Sequence, residues 1–104
     1  MRGDIVRVPA DKSARGSEQQ GGRYAVIVQS VDLLLSTVLV TPTSTGSLPL
    51  AHRPQVVIDG RTTCLLAEQT RAIRREALGP PLGRLSYDDL NRLDDALRLV
   101  LALD

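Results

Sequence analysis

Three short stretches of this sequence place anion-holding groups where the backbone has to turn. The first runs Arg15-Gly-Ser-Glu-Gln-Gln-Gly-Gly-Arg23-Tyr24. Gly16, Gly21 and Gly22 open backbone angles closed to other residues and let a partner approach closely. Arg15 and Arg23 frame those glycines, and Arg23 immediately precedes an apolar run that should hold its Cα firmly. A fixed guanidinium beside a glycine-rich loop suits an anion clamp, because its planar fork grips two oxygens at once. The plainer alternative is a solvated hairpin loop with two incidental arginines. The second stretch is Val40-Thr-Pro-Thr-Ser44-Thr, where hydroxyls cluster beside a proline. The Thr43 and Ser44 hydroxyls can donate to phosphate oxygens, or simply satisfy local backbone groups as in an ordinary turn. The third, Glu68-Gln69-Thr70-Arg71, is either one face of a polar groove or a solvated corner.

Much other chemistry is excluded. One Cys and one His in 104 residues leave no internal disulfide, no multi-cysteine metal site and no His/His or His/Cys ligand pair. A Ser-His-Asp triad would have to use His52, which lies in a proline-containing loop and reads as a surface residue. Cys64, inside an apolar strand, reads as a structural thiol. The composition therefore points to no metal and no cofactor. Net charge is +1, but residues 1–75 carry +4 and residues 76–104 carry −3, and twelve of the thirteen basic residues are Arg. A basic body suits an acidic partner or a phosphate backbone. No run reaches the roughly 18 apolar residues of a membrane span, and Met-Arg-Gly-Asp opens no signal-peptide core. A cytoplasmic protein with no membrane association is expected.

The groups that could do chemistry must be positioned by a small set of elements. Apolar residues make up 42% of the chain, ordinary for a globular domain, yet Phe and Trp are absent and Tyr24 and Tyr87 are the only aromatics. A core must be built from Leu, Val, Ile and Ala. Strands are expected over 3–8, 24–29, 37–43, 55–58, 63–66 and 70–75, with a brief seventh at 82–85. Arg7 points opposite to Val6 and Val8. The run 24–29 reads as a central strand buried on both faces. Pro42 lacks an N–H, so the third strand must end, bulge or lie at an edge there. Asp59-Gly60 is a strong hairpin turn signal. Loops span 9–22 and 44–54. Ser86 is a good N-cap with Asp89 three residues on, and Leu90, Leu93, Leu97, Val100 and Leu101 recur at helical spacing behind it. Leu99 and Leu103 widen that apolar stripe, which can also serve a dimer. Residues 1–104 read as one domain, mainly β with a C-terminal helix: a small curved sheet or barrel with the helix over one open side.

Taken together, Arg2-Gly-Asp-Ile-Val, Arg15-Gly-Ser-Glu-Gln, Gly21-Gly-Arg23 running into Ala25-Val-Ile-Val, Val38-Leu-Val-Thr-Pro-Thr-Ser44, Glu68-Gln69-Thr-Arg71-Ala-Ile and Leu82-Gly-Arg-Leu-Ser86 resemble, in order, the MazF/PemK (Kid) toxins of bacterial toxin–antitoxin systems. The resemblance covers nearly the whole chain. It implies an SH3-like small β-barrel of the MazF/CcdB-like toxin fold and a homodimer. It also implies a sequence-selective endoribonuclease of the mRNA-interferase type, which cuts single-stranded RNA without a metal. Carried over by position, Arg23, Ser44 and Glu18 form the catalytic set, and Arg15, Ser17, Gln19, Thr43, Gln69 and Arg71 line the substrate groove. The implied partner is a MazE-like antitoxin that lays an acidic C-terminal tail across the groove. Two positions depart from the family pattern: Tyr24 replaces the proline that often follows the catalytic Arg, and Arg7 replaces an aromatic residue of the first strand.

Metal-free cleavage can use the substrate's own 2′-OH as nucleophile, leaving a 2′,3′-cyclic phosphate and a 5′-OH. Arg23 suits the extra charge on phosphorus and Ser44 can add a hydrogen bond, each such donor being worth about 3 kcal/mol of barrier. Arg, with a pKa above about 12, is a poor base, and Glu18 is the available alternative. Two other functions fit a chain of this kind: a CcdB-like gyrase inhibitor of the same fold, and a non-enzymatic SH3-like module binding nucleic acid or protein.

Overall fold

The structure, a computed structural model, describes residues 1–9 and 23–104. Among these residues seven strands precede the helix: β1 (Asp4–Val8), β2 (Arg23–Ile27), β3 (Thr37–Ser44), β4 (Gln55–Ile58), β5 (Arg61–Leu65), β6 (Arg71–Arg74) and β7 (Gly83–Arg84), then α1 (Tyr87–Leu101). They lie in the order β4-β5-β3-β2-β1-β7, with β6 also on β3, and each pairing is antiparallel. The mainly β architecture with a C-terminal helix is the one expected, with the sheet curled into a half-barrel.

The curl follows from β3, the longest strand. Its first half pairs with β6 (Val38↔Ile73, Val40↔Arg71) and its end pairs with β5 (Thr43↔Leu65, Ser44↔Cys64), both along the same edge. Pro42 stands at the change of partner. Its carbonyl accepts from the Leu66 N–H at 2.9 Å, so its nitrogen faces the same way, into the gap between β6 and β5. A missing donor costs least there. The strand therefore neither ends nor lies at an edge at Pro42 but runs on to Ser44. The connection from β5 to β6 is a short 3₁₀ turn at Ala67–Gln69, and it is clamped to β3. The Thr70 hydroxyl donates to the Ala67 carbonyl at 2.9 Å, and its oxygen lies 2.7 Å from that of Thr41, which is therefore the donor between the two.

Strand periodicity sends alternate side chains into two cores. Ile5, Val26, Val56, Ile58, Leu65 and Ala67 face α1, where Leu93 and Ala96 are buried against them. Val6, Val8, Ala25, Ile27, Val38 and Val40 form the core of the other face, with Ile73 and Leu78 against it. Ala25, Val26 and Ile27 are thus buried in succession, as a strand covered on both faces requires. Arg7 is exposed between buried Val6 and Val8.

The helix begins as expected. The Ser86 hydroxyl accepts from the Asp89 N–H at 3.1 Å, and Asp88 and Asp89 lie at the positive end of the dipole. Arg2 anchors the middle of the helix: its Nε donates to the Val28 carbonyl at 2.9 Å and its guanidinium pairs with Asp94. The apolar stripe is shorter than its spacing suggested. Leu90, Leu93, Ala96 and Leu97 meet the sheet, whereas Val100 and Leu101 are exposed together with Leu99 and Leu103. Core contact ends at Leu97, so the last turn extends past the sheet.

Candidate active site

The first residue of β2 and the last of β3 come together. The β2–β3 register is Ala25↔Pro42, Val26↔Thr41 and Ile27↔Val40, and its continuation sets Arg23 opposite Ser44. Beyond Ala25↔Pro42 the side chains take over from the ladder. Arg23 Nη2 donates to the Thr43 carbonyl at 2.9 Å, and the Thr43 hydroxyl donates to the Tyr24 carbonyl at 2.9 Å. Thr43 is buried while Ser44 is half-buried. Thr43 therefore braces the site, and Ser44, followed by exposed Thr45, lines its opening.

Arg23, Thr43 and Ser44 share an open cleft of about 430 Å³ with Arg7, Tyr24 and Arg61. Its described lining carries three guanidiniums and no carboxylate. Such a cleft suits a group with several negatively charged oxygens, since like charges this close repel until an anion arrives. Among the described residues the Arg23 side chain makes one bond, to a backbone carbonyl, and the other N–H groups of its fork can serve a ligand.

Gln69 and Arg71 lie outside this cleft but close to its line. Arg71 is paired with Val40, whose side chain shares a face with Ile27 and Ala25 and hence, by alternation, with Arg23. Four β3 positions separate the two rows, about 13 Å along the strand. The face thus carries one guanidinium at the cleft and another further along, an arrangement that suits an extended polyanion. Gln69 is exposed on the 3₁₀ turn. Arg15, Ser17, Glu18 and Gln19 fall outside the described residues. Arg7 and Arg61 were not among the sequence-derived candidates. The signal for Arg61 was available, because a hairpin centred on Asp59-Gly60 makes Arg61 the first residue of the return strand.

The corner carrying Gln69 is held by an ion pair. Arg53 donates to Glu68 through Nε at 2.7 Å and through Nη2, tying the 44–54 loop to the 3₁₀ turn. Burial alone pushes the Glu68 carboxyl up. The hydrogen bond from Arg53, a bond to its own backbone and the charges of Arg53 and His52 outweigh that, so Glu68 is held below its ordinary value. The same bond holds Arg53 above its own. A carboxylate depressed in the folded state stabilises above its unfolded value of 4.5 and loses that contribution as pH falls through the folded value. Arg53→Gln should therefore lower the melting temperature at pH 7 and have a vanishing effect well below pH 4.5. A constant difference across that range would show that the pair does not brace the corner. His52 is half-buried in the same loop. Cys64 is buried and its thiol donates to the Ser47 carbonyl at 3.4 Å, the structural part expected of it.

A curled β half-barrel with one terminal helix, opening on an arginine- and hydroxyl-lined cleft, defines a class of small toxins. The model of the PemK-like, MazF-like toxins of type II toxin–antitoxin systems matches residues 1–101, and the chain belongs to that family. Its relatives include endoribonuclease MazF9 of Mycobacterium tuberculosis, 36% identical over 115 residues, covering 98% of this chain and 96% of the relative. The toxin Rv3098A of the same organism is 35% identical over 104 residues, covering 99% and 98%. Among solved structures, the Mycobacterium tuberculosis toxin MazF-mt6 superposes with a TM-score of 0.79 at 21% identity over 97% of this chain and 98% of that one. A mycobacterial endoribonuclease in complex with its cognate antitoxin gives 0.81 at 19% identity over 100% and 96%. These last two establish the fold.

Proposed function

We infer that this toxin is an endoribonuclease acting on single-stranded RNA, with Arg23 and Ser44 on the scissile phosphodiester. The observation that carries this is the meeting of those two groups, 21 residues apart in sequence, in one cationic cleft built by the β2–β3 register. The substrate 2′-oxygen attacks the adjacent phosphorus, and the bond from phosphorus to the 5′-oxygen breaks. The 2′ proton passes to a base and the departing 5′-oxygen takes a proton, leaving a 2′,3′-cyclic phosphate and a 5′-OH. Arg23 stabilises the charge gathering on the phosphoryl oxygens, and Ser44 donates to the same group. Arg23 is unsuited to accept the 2′ proton. Glu18 is the proposed base, with Arg15, Ser17, Gln19, Gln69 and Arg71 on the RNA to either side. Single strands are preferred because the 2′-oxygen lines up opposite the leaving oxygen only when the backbone is free to rotate.

The partner of a type II toxin is its antitoxin, and an acidic tail along the same cationic face would exclude RNA. The family resemblance also implies a homodimer. Exposed leucines at Leu33–Leu35 and at Leu99, Leu101 and Leu103 give the chain apolar surface for such contacts. No described helix is long and apolar enough to cross a membrane, and the expected location is the cytoplasm.

The purified protein, incubated in EDTA with a mixed RNA pool, should produce 5′-OH ends at a restricted set of sequences. A parallel gyrase supercoiling assay should show no inhibition. Intact RNA together with inhibited gyrase would replace the nuclease with a binding toxin.

A further inference from the structure

The two positions at which this chain departs from the family pattern are cross-strand partners. Arg7 pairs with Tyr24 in the β1–β2 ladder. The Arg7 guanidinium lies 4.7 Å over the centre of the Tyr24 ring, and its Nη2 is 3.4 Å from the Tyr24 hydroxyl. That hydroxyl in turn donates to Asp59 at 2.9 Å. Asp59 is held in place by the β4–β5 hairpin, a two-residue turn closed by Ile58↔Arg61, in which Asp59 and Gly60 both have positive φ (53° and 75°). Such a turn demands residues of this kind. Asp59 does not line the cationic cleft. It lines the neighbouring cavity on the far side of Tyr24, with Ile5, Val57 and Ile58. The tyrosine therefore stands between the carboxylate and the cleft, its hydroxyl tied back and its face turned to Arg7. The side chain of Arg61, which the same hairpin delivers to the cleft, has no hydrogen bond or ion pair among the described residues.

The arrangement does more than one phosphate needs. Arg23 with Ser44 can satisfy a single phosphodiester, yet two further guanidiniums open onto the same cleft, one aligned on an aromatic face and one unengaged. Resting on the Tyr24 ring, Arg7 is oriented without losing its donors to a carboxylate, because the contact with the ring uses the flat face of the guanidinium and its N–H groups point outward in the guanidinium plane. We propose that Arg7 and Arg61 form a second phosphate subsite, which grips a phosphodiester next to the scissile one, and that Tyr24, fixed by Asp59, is its positioning residue. The proposal rests on the ribonuclease function given above. The subsite reads backbone and not base, so it sets how the strand lies across the Arg23–Ser44 pair and leaves the choice of sequence to other groups.

The test uses the full-length protein and an RNA oligonucleotide carrying the cleavage sequence mapped from the mixed pool. Two further versions each replace one linkage flanking the scissile phosphodiester with an uncharged methylphosphonate. For the wild type, one of the two neutral linkages should raise KM about tenfold, the worth of a lost charge-assisted contact. In Arg7→Gln/Arg61→Gln the charged oligonucleotide should already bind about tenfold more weakly, and the same neutral linkage should make almost no further difference. The slope of log affinity against log salt should fall by about 0.7 per contact removed. Tyr24→Phe, which keeps the ring and breaks the bond to Asp59, should lie between, with kcat unchanged. Arg98→Gln, on the outer face of α1, is the charge control and should match the wild type. If the wild type cleaves RNA but both neutral linkages cost the double variant as much as they cost the wild type, there is no second subsite. If the double variant cleaves normally and loses only inhibition by the antitoxin, the two arginines serve antitoxin carboxylates and the proposal is overturned. Failure of the wild type to cleave any RNA would overturn the ribonuclease function itself.

Discussion

Arg23→Ala will slow RNA cleavage by about a thousandfold while leaving the fold and its thermal stability near those of the wild type. The size follows from the role proposed for the residue: its guanidinium shares the cationic cleft with Ser44, and one preorganised donor to a developing oxyanion is worth about 3–4 kcal/mol, the upper end of which is a thousandfold. The fold should tolerate the change because Arg23 is the first residue of β2, half-buried, and among the described residues its side chain makes one hydrogen bond, to the Thr43 carbonyl. Thr43 keeps its own bond to the Tyr24 carbonyl. Arg23→Lys will not rescue activity, since an ammonium cannot hold the Thr43 carbonyl and two phosphate oxygens in the same plane. Single-turnover rates with excess enzyme, alongside thermal melts, check both halves. A variant that melts normally and cleaves at the wild-type rate would remove Arg23 from the chemistry.

Leu93→Ala will have the largest effect on stability, about 3 kcal/mol, or roughly 15 °C in melting temperature for a domain of this length. Leu93 is fully buried, in the core shared with Ile5, Val26, Val56, Ile58 and Leu65. The buried members of this core are all aliphatic, and the one aromatic ring packed against it, Tyr24, is tied through its hydroxyl to Asp59. The cavity left behind should therefore persist. Leu101→Ala, on the exposed last turn, is the comparison and should cost less than about 0.5 kcal/mol in the monomer. Equal losses for the two would mean that α1 packs over its whole length.

The strands were legible because β-branched and aliphatic runs bounded by Gly, Pro and Asp carry their own period, and the helix because Ser86 and Asp88-Asp89 announce its start. What the sequence left open are choices made by tertiary contact. Pro42 marks a break in the local pattern, but only the exchange of β6 for β5 along one edge shows that the break is harmless and that β3 continues to Ser44. Val100 and Leu101 keep helical spacing with Leu93, yet spacing does not reveal where the sheet beneath stops, and small Ala96 takes a core place instead. The pairing of Arg23 with Ser44 needed the β2–β3 register. Periodicity fixes which residues share a face, not which rows align. Arg7 is exposed, as the strand pattern indicates, but its contact with a ring was hidden because Tyr24 lies on another strand. Gln69 and Arg71 were expected along the same groove as Arg23 and Ser44; Arg71 stands four β3 positions along the same face, and Gln69 is exposed on the 3₁₀ turn.

The central claim is that Arg23 and Ser44 act together on one phosphodiester, and a double-mutant cycle tests it directly. Single-turnover cleavage is measured for the wild type, Arg23→Ala, Ser44→Ala and the double variant on one RNA. Groups that serve a single transition state are far from additive: Ser44→Ala should cost about a hundredfold, and the double variant should be scarcely slower than Arg23→Ala. Losses that simply multiply, or a Ser44→Ala enzyme as fast as the parent, would mean that the two side chains share a cleft without sharing a reaction.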